Sequence, residues 1–170
     1  MIAIPHLKSG EYFFYLENWT IINFMNILFL LVSMFGMIDA GYLTRQHYLG
    51  GTLVCPIFGG CDVVTNSVYS EILGFPVAGI GLAFYMTIFS LSALAYFTEN
   101  KLFLKLASYL TICGLLASIA LVSLMLFIIK ALCFYCVLSA ISSTVLFILG
   151  MIFLRREWKT KNSPKDSDKI

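Results

Sequence analysis

The chain has 170 residues, enough for one domain, with 60% apolar and 12% charged side chains and a net charge of +2. A soluble domain carries about twice that share of charge, so the composition excludes a water-exposed globule. With no domain-sized basic face, it also excludes a nucleic-acid binder. What remains is an integral membrane protein.

In chain order, residues 1–18 are mixed and aromatic, with Tyr12, Phe13, Phe14 and Tyr15 beside Glu11 and Glu17. No short apolar core leads into a small-residue cleavage site, so an interfacial segment is expected rather than a cleaved leader. The first span is expected from Trp19 to Tyr42, diluted by Asn23 and Asn26. Asp39 falls near its far end and must face other helices or water, because a charge in lipid is costly. A break from Leu43 to Phe75 follows, with Gly50, Gly51, Pro56, Gly59, Gly60, Gly74, Cys55 and Cys61. A break of that length and composition reads as a functional loop. Val64, Val68 and Ile72, spaced four apart, predict a short amphipathic helix over Val63–Leu73. The second span runs from Pro76 to Phe97, roughly 33 Å at a helical rise. After a polar turn at Thr98–Lys101, the third span runs from Leu102 to Ile129. Lys130–Leu132 is a minimal connector, and the fourth span runs from Cys133 to Leu154. The predicted architecture is an all-α membrane bundle of four transmembrane helices over 19–154, capped by a cysteine loop. The basic tail, 155–170, is expected to be disordered.

Four spans place both termini on one side. Nine of the eleven Lys and Arg residues fall there, leaving Arg45 and Lys130 opposite. Positive charge is retained in the cytoplasm, so the cysteine loop and the fourth span's start are expected to face the oxidising exterior.

Cys133-Phe134-Tyr135-Cys136 opens that fourth span. Cysteines at i and i+3 share one face of a helical turn, and the positive end of the helix dipole favours a thiolate there. That reads as a redox pair. Cys55 and Cys61 bracket two glycines that let the loop fold back and swing. A relay follows, in which the loop pair oxidises an outside thiol and hands two electrons to Cys133 and Cys136 by thiol–disulfide exchange. The terminal acceptor expected within the bilayer is a quinone. Its pocket is expected between Gly81, Phe84 and Tyr85 of the second span and Leu121, Met125 and Ile129 of the third. Residues at such spacing also serve as plain packing. Two other readings of the cysteines stay open: disulfides stapling the cap of a non-enzymatic protein, or a four-cysteine zinc site. The five residues between Cys55 and Cys61 suit a zinc knuckle poorly, so no metal is expected. Cys113, mid-span, reads as a small buried hydrophobe. Asp62 reads equally as a solvated loop charge or as a group that orients the loop or tunes the Cys61 thiol. Ser67 and Tyr69 read as pins of the cap helix, with hydrogen bonds to a quinone oxygen as the alternative. Ser139 reads as a helix back-bonder, and neither His6 nor His47 as a ligand.

The order Cys55…Gly60-Cys61-Asp62-Val63-Val64…Ser67-Val68-Tyr69…Gly74-Phe75-Pro76…Gly81…Tyr85…Cys133-Phe134-Tyr135-Cys136…Ser139 resembles the vitamin K epoxide reductase family. Gly41-Tyr42-Leu43-Thr44 and His47-Tyr48 resemble its prokaryotic branch. The resemblance implies a four-helix bundle holding a quinone of ubiquinone, menaquinone or vitamin K type. It implies that Cys136 donates electrons to the quinone and that Cys133 accepts them through a disulfide with Cys61. Cys55 would meet an external thioredoxin-like partner that introduces disulfides into secreted proteins. Animal members carry an Asn at the head of helix two and a Tyr one turn after the CxxC. Here no Asn occurs between Asn66 and Asn100, and Ala140 holds the Tyr position. Thiol oxidation is therefore implied in preference to epoxide reduction, with regeneration of reduced quinone as the alternative purpose. The short tail after Leu154 implies a separate partner rather than a fused thioredoxin-like domain.

Overall fold

Backbone polar groups in hydrocarbon must be satisfied within the segment, and the long apolar runs meet that demand as helices. The computed structural model describes residues 9–50, 60–65, 67, 70–72, 74–98 and 100–161. The elements are α1 (Ser9–Leu49), α2 (Cys61–Thr65), β1 (Glu71–Ile72), β2 (Phe75–Pro76), α3 (Val77–Thr98), α4 (Lys101–Ser123), a π-helical turn (Leu124–Ile129) and α5 (Phe134–Lys161). Thr20–Leu49, Val77–Thr98, Lys101–Ile129 and Phe134–Lys159 are each long and apolar enough to cross a membrane. They form a four-helix, multi-pass membrane bundle. In it α1 packs on α3 and α5, and α4 packs on the same two, which closes a ring.

Several boundaries differ from the sequence expectation. The first span does not end at Tyr42: α1 continues to Leu49, because Leu43–Leu49 contains neither Gly nor Pro and Gly50, at φ +61°, is the first residue suited to stop it. The helix also starts as early as Ser9, so residues 9–18 are helical and continuous with the first span, whose membrane-length stretch is Thr20–Leu49. At the other end α5 runs past Leu154 to Lys161, so the first part of the expected tail is helical. The helix predicted over Val63–Leu73 is instead the short α2 followed by a two-stranded antiparallel ribbon, with Glu71 opposite Pro76 and Ile72 opposite Phe75. Gly74, at φ +81°, makes the turn of that ribbon. Residues 1–8 and 162–170, Cys55, Val68 and Tyr69 lie outside the described residues.

Without a hydrophobic drive between helices in lipid, close packing depends on small residues. Gly36 of α1 leaves room for the Tyr85 ring of α3, and Gly114 of α4 leaves room for the Phe84 ring. A side chain at either glycine would occupy ring space. Buried hydroxyls return to their own helices: Ser33 donates to the Phe29 carbonyl at 2.6 Å, and Ser108 donates to that of Leu104 at 2.8 Å. Asn26, with its amide oriented to satisfy both groups, donates to the Ser92 carbonyl and accepts from the Tyr96 N–H, each at 3.1 Å. The polar residue that dilutes the first span is thus a tie between α1 and α3. Asn100 caps α4 by accepting from the Leu102 N–H at 3.1 Å.

Candidate redox site

The site is assembled where the π-helical turn gives way to α5. Lys130 takes a left-handed conformation, φ 54° and ψ 31°, which ends the third span and frees three residues to turn. Cys133 then occupies the N-cap of α5. Its carbonyl accepts the Val137 N–H at 3.1 Å, and its Sγ accepts the Cys136 N–H at 3.4 Å. A sulfur therefore fills the role usually taken by a Ser or Asp oxygen. Cys133 precedes the first turn rather than lying within it, which aims its sulfur at the helix's unpaired N–H groups. A hydrogen bond from the Cys136 thiol holds Cys133 below the usual thiol range against the opposing effect of burial. The backbone N–H groups of Cys136 and Tyr135 act in the same direction, and the nearby Asp39 carboxylate opposes them. The pair is one sulfur primed as a thiolate and one thiol that donates to it.

Cys133 and Cys136 are both free thiols, whereas Cys61 is disulfide-bonded. Cys61 starts α2 and is 1% exposed; Cys133 is fully buried; both belong to one apolar cluster with Leu43 and Met125. Gly60 makes this approach possible. A Cβ there would lie 2.9 Å from the Leu132 carbonyl oxygen and 3.0 Å from the Leu132 nitrogen. The loop backbone therefore rests directly on the connector that ends at Cys133. In a disulfide, Cys61 has no thiolate to offer a metal. Cys113 is exposed on the outside of the bundle rather than buried as expected, so it takes no part in this cluster.

Beside Cys136 lies a cavity of about 140 Å³ between the cap, α1, α3, the third span and α5. Of the six residues expected around it, Gly81, Leu121, Met125 and Ile129 line it. Phe84 and Tyr85 do not. The Phe84 ring lies over Gly114, and the Tyr85 ring is buried against Gly36. Tyr85 stands behind the wall, donating its hydroxyl to the Ser139 carbonyl at 2.8 Å with Ser139 Oγ at 3.1 Å. Besides Cys136, the polar side chains of the lining are His47, Thr65, Ser67, Ser70, Ser118 and Ser139, of which the sequence offers only Ser67, as the alternative to its cap role, for contact with a quinone oxygen. His47 was obscured by ending the span too soon. Once α1 continues to Leu49, Ala40, Leu43 and His47 fall on one helical stripe. Ser118 hydrogen-bonds Ser143 across α4 and α5, and that pairing has no sequence signal.

A side-chain contact ties the cap to α1 over this cavity. His47 and Glu71 approach to 3.2 Å, joining the end of α1 to the ribbon. Ser67 and Ser70 hydroxyls donate to the Val64 and Ser67 carbonyls, each at 2.7 Å, folding the segment after α2 into tight turns. The Tyr135 ring meets Tyr42 of α1 at 5.1 Å between centroids, fixing the start of α5 against α1.

The sequence model of the vitamin K epoxide reductase family matches residues 27–151, a stretch that reaches into all four spans and includes the cap and the cysteines from Cys55 to Cys136. The chain is also similar to the thiol-disulfide oxidoreductase LTO1 of Arabidopsis thaliana, 41% identical over 58 residues. Those residues are 34% of this chain and 15% of that relative's length.

Proposed function

The chain belongs to the vitamin K epoxide reductase family, and from that premise we propose that it is a membrane thiol-disulfide oxidoreductase passing electrons from an external thiol to a membrane quinone. The observation that carries this reading is the placement of an oxidised Cys61 and a thiolate-primed Cys133 in one buried cluster, with Cys136 facing the cavity. A reduced thioredoxin-like partner transfers two electrons to the Cys55–Cys61 pair. The freed Cys61 thiolate attacks a Cys133–Cys136 disulfide at Cys133, and Cys55 resolves the mixed disulfide. The loop is then oxidised and the CxxC reduced. Free Cys133 and Cys136 beside a disulfide-bonded Cys61 correspond to that point in the cycle.

The lining of the cavity suits a quinone. It is largely aliphatic, with His47, Ser118 and Ser139 able to offer hydrogen bonds to ring carbonyls. When bound, a quinone accepts two electrons and two protons. The chain's part is to hold Cys136 against the cavity, exclude water with the cap, and keep the CxxC in reach of Cys61. The Lys and Arg distribution supports cytoplasmic termini and an outward-facing cap.

The test is quinone-dependent oxidation of a reduced thioredoxin-like protein by the purified chain in detergent. Cys136→Ala should reduce the rate to background while Cys61 still forms a mixed disulfide with Cys133. Undiminished quinone reduction in that variant would remove Cys136 as the electron exit. If Cys61 stays oxidised under every thiol and quinone condition, the disulfide is a staple of the cap and the protein is not a shuttle.

A further inference from the structure

Asp39 is a carboxyl set inside the bundle, 7% exposed, and its Oδ2 has no hydrogen-bond partner among the described residues. Glu71 and Glu157, the other carboxyls whose side chains are described, sit at opposite ends of the spans and reach solvent. An unpaired carboxylate in such a place is expensive, and packing alone gives no reason for it. The titratable groups within reach of its charge are Tyr85 from α3 and Cys133, Tyr135 and Cys136 from the start of α5. Ala40 and Leu43 line the cavity from the same turns of α1, while Asp39 stands beside it without lining it.

The sulfur pair poses a proton problem that this placement answers. Cys136 keeps its proton while it donates to the Cys133 sulfur. Closing the disulfide converts one thiolate and one thiol into an S–S bond, two electrons and one proton. The electrons leave through the acceptor, but the proton starts in a buried site. We infer that Asp39 is the proton-accepting partner of Cys136, taking the thiol proton as the Cys133–Cys136 disulfide forms and returning it when that disulfide is reduced. The carboxylate becomes a carboxylic acid in the first half-cycle and is regenerated in the second, which accounts for the one proton of the sulfur pair; the two protons that a quinone takes up with the two electrons come from solvent. The inference rests on the proposed thiol oxidation but not on the identity of the acceptor.

The test follows single-turnover oxidation of the reduced pair in the full chain across the acid-to-alkaline range. It uses a short-chain ubiquinone and, separately, the small disulfide hydroxyethyl disulfide. Asp39→Asn keeps the side-chain volume and removes the base. A positioned proton-transfer group typically contributes 10²–10⁴-fold, so oxidation should slow about 100-fold with either acceptor where Cys133 is a thiolate, and the acid limb that remains should coincide with the Cys133 thiolate titration alone. Asp39→Glu should restore the rate and the additional acid dependence. A second readout needs no turnover: ultraviolet absorbance of the Cys133 thiolate, corrected with Cys133→Ser. Losing a neighbouring negative charge leaves that titration unmoved or shifts it to lower pH. An Asp39→Asn rate that is undiminished where Cys133 is a thiolate, or an acid limb identical to the wild type's after the Cys133 titration is divided out, overturns the inference. So does a thiolate titration displaced upward, which would mean that the pair itself has been disturbed. If the wild type ignores quinone but behaves as stated with the small disulfide, the proposed acceptor falls and Asp39 keeps its role.

Discussion

Cys133 and Cys136 differ by three positions in sequence and by a whole chemical role in space. The N-cap location gives Cys133 the Cys136 N–H and thiol as donors, while Cys136 keeps its proton and faces the cavity. The sign of the pH dependence follows. A thiol lowered in the folded chain is a thiolate above its lowered value and loses that charge as pH falls through it. Cys133 thiolate absorbance should therefore persist below the pH at which an ordinary thiol, near 8.5, protonates. It should return toward that value in Cys136→Ala, which removes the thiol donor. A Cys133 midpoint unchanged by that substitution would separate the thiolate from its proposed cause. Gly60 acts at the same scale. Gly60→Ala would press a methyl onto the Leu132 backbone, a strain of about 1–3 kcal/mol. In a Cys136→Ser background the trapped Cys61–Cys133 disulfide should then form roughly tenfold less readily, read by non-reducing electrophoresis. Spacing singled out the cysteines as candidates, and the structure gathers Cys61, Cys133 and Cys136 in one cluster. The N-cap sulfur and the glycine seat were not legible from spacing, since both depend on where the third span stops.

The elements show why some of the site was hidden. Apolar content located four spans, because lipid imposes one solution on a long apolar run. It could not say that α1 continues through Arg45 and His47, where polar side chains sit on an unbroken helix. It could not separate Phe84 and Tyr85 from the cavity either, because a packing aromatic and a lining aromatic have the same spacing. Their true neighbours are glycines on other helices, and that relation is tertiary. The spacing of four at Val64, Val68 and Ile72 predicts a helix as far as Leu73, but Glu71–Ile72 pairs as a strand, with Gly74 in a left-handed turn bringing Phe75–Pro76 back alongside it. Gly114 provides the check at this scale. Gly114→Val should clash with the Phe84 ring and destabilise the bundle by about 1–3 kcal/mol, lowering the unfolding midpoint in detergent. Adding Phe84→Ala should recover part of that loss, because the two side chains compete for one space. Strictly additive losses would mean that Phe84 does not occupy the seat at Gly114.

At the scale of the molecule, the bundle has two unlike ends. One carries Asn100, the Lys101–Glu157 pair at 3.9 Å and the basic end of α5; the other carries the cap, its His47–Glu71 contact and the cysteines. Exposed pairs of this kind contribute little stability. The charge asymmetry instead bears on insertion, because Lys and Arg near span ends resist translocation. Reversing the bundle would carry nine cations across and retain two. It would also leave the cysteines facing a compartment that keeps thiols reduced, where an oxidised loop would have no lasting supply of disulfide. The charge distribution and the proposed redox chemistry thus favour the same orientation through separate physical causes. Val63, exposed on α2, and Asn100, exposed at the opposite turn, report on it. In intact cells an impermeant thiol reagent should label Val63→Cys, with the site mapped by mass spectrometry to distinguish it from the native thiols. It should reach Asn100→Cys only after the membrane is opened. Labelling in the reverse order would place the cap in the reducing compartment, and a relay that exports disulfides could not operate from there.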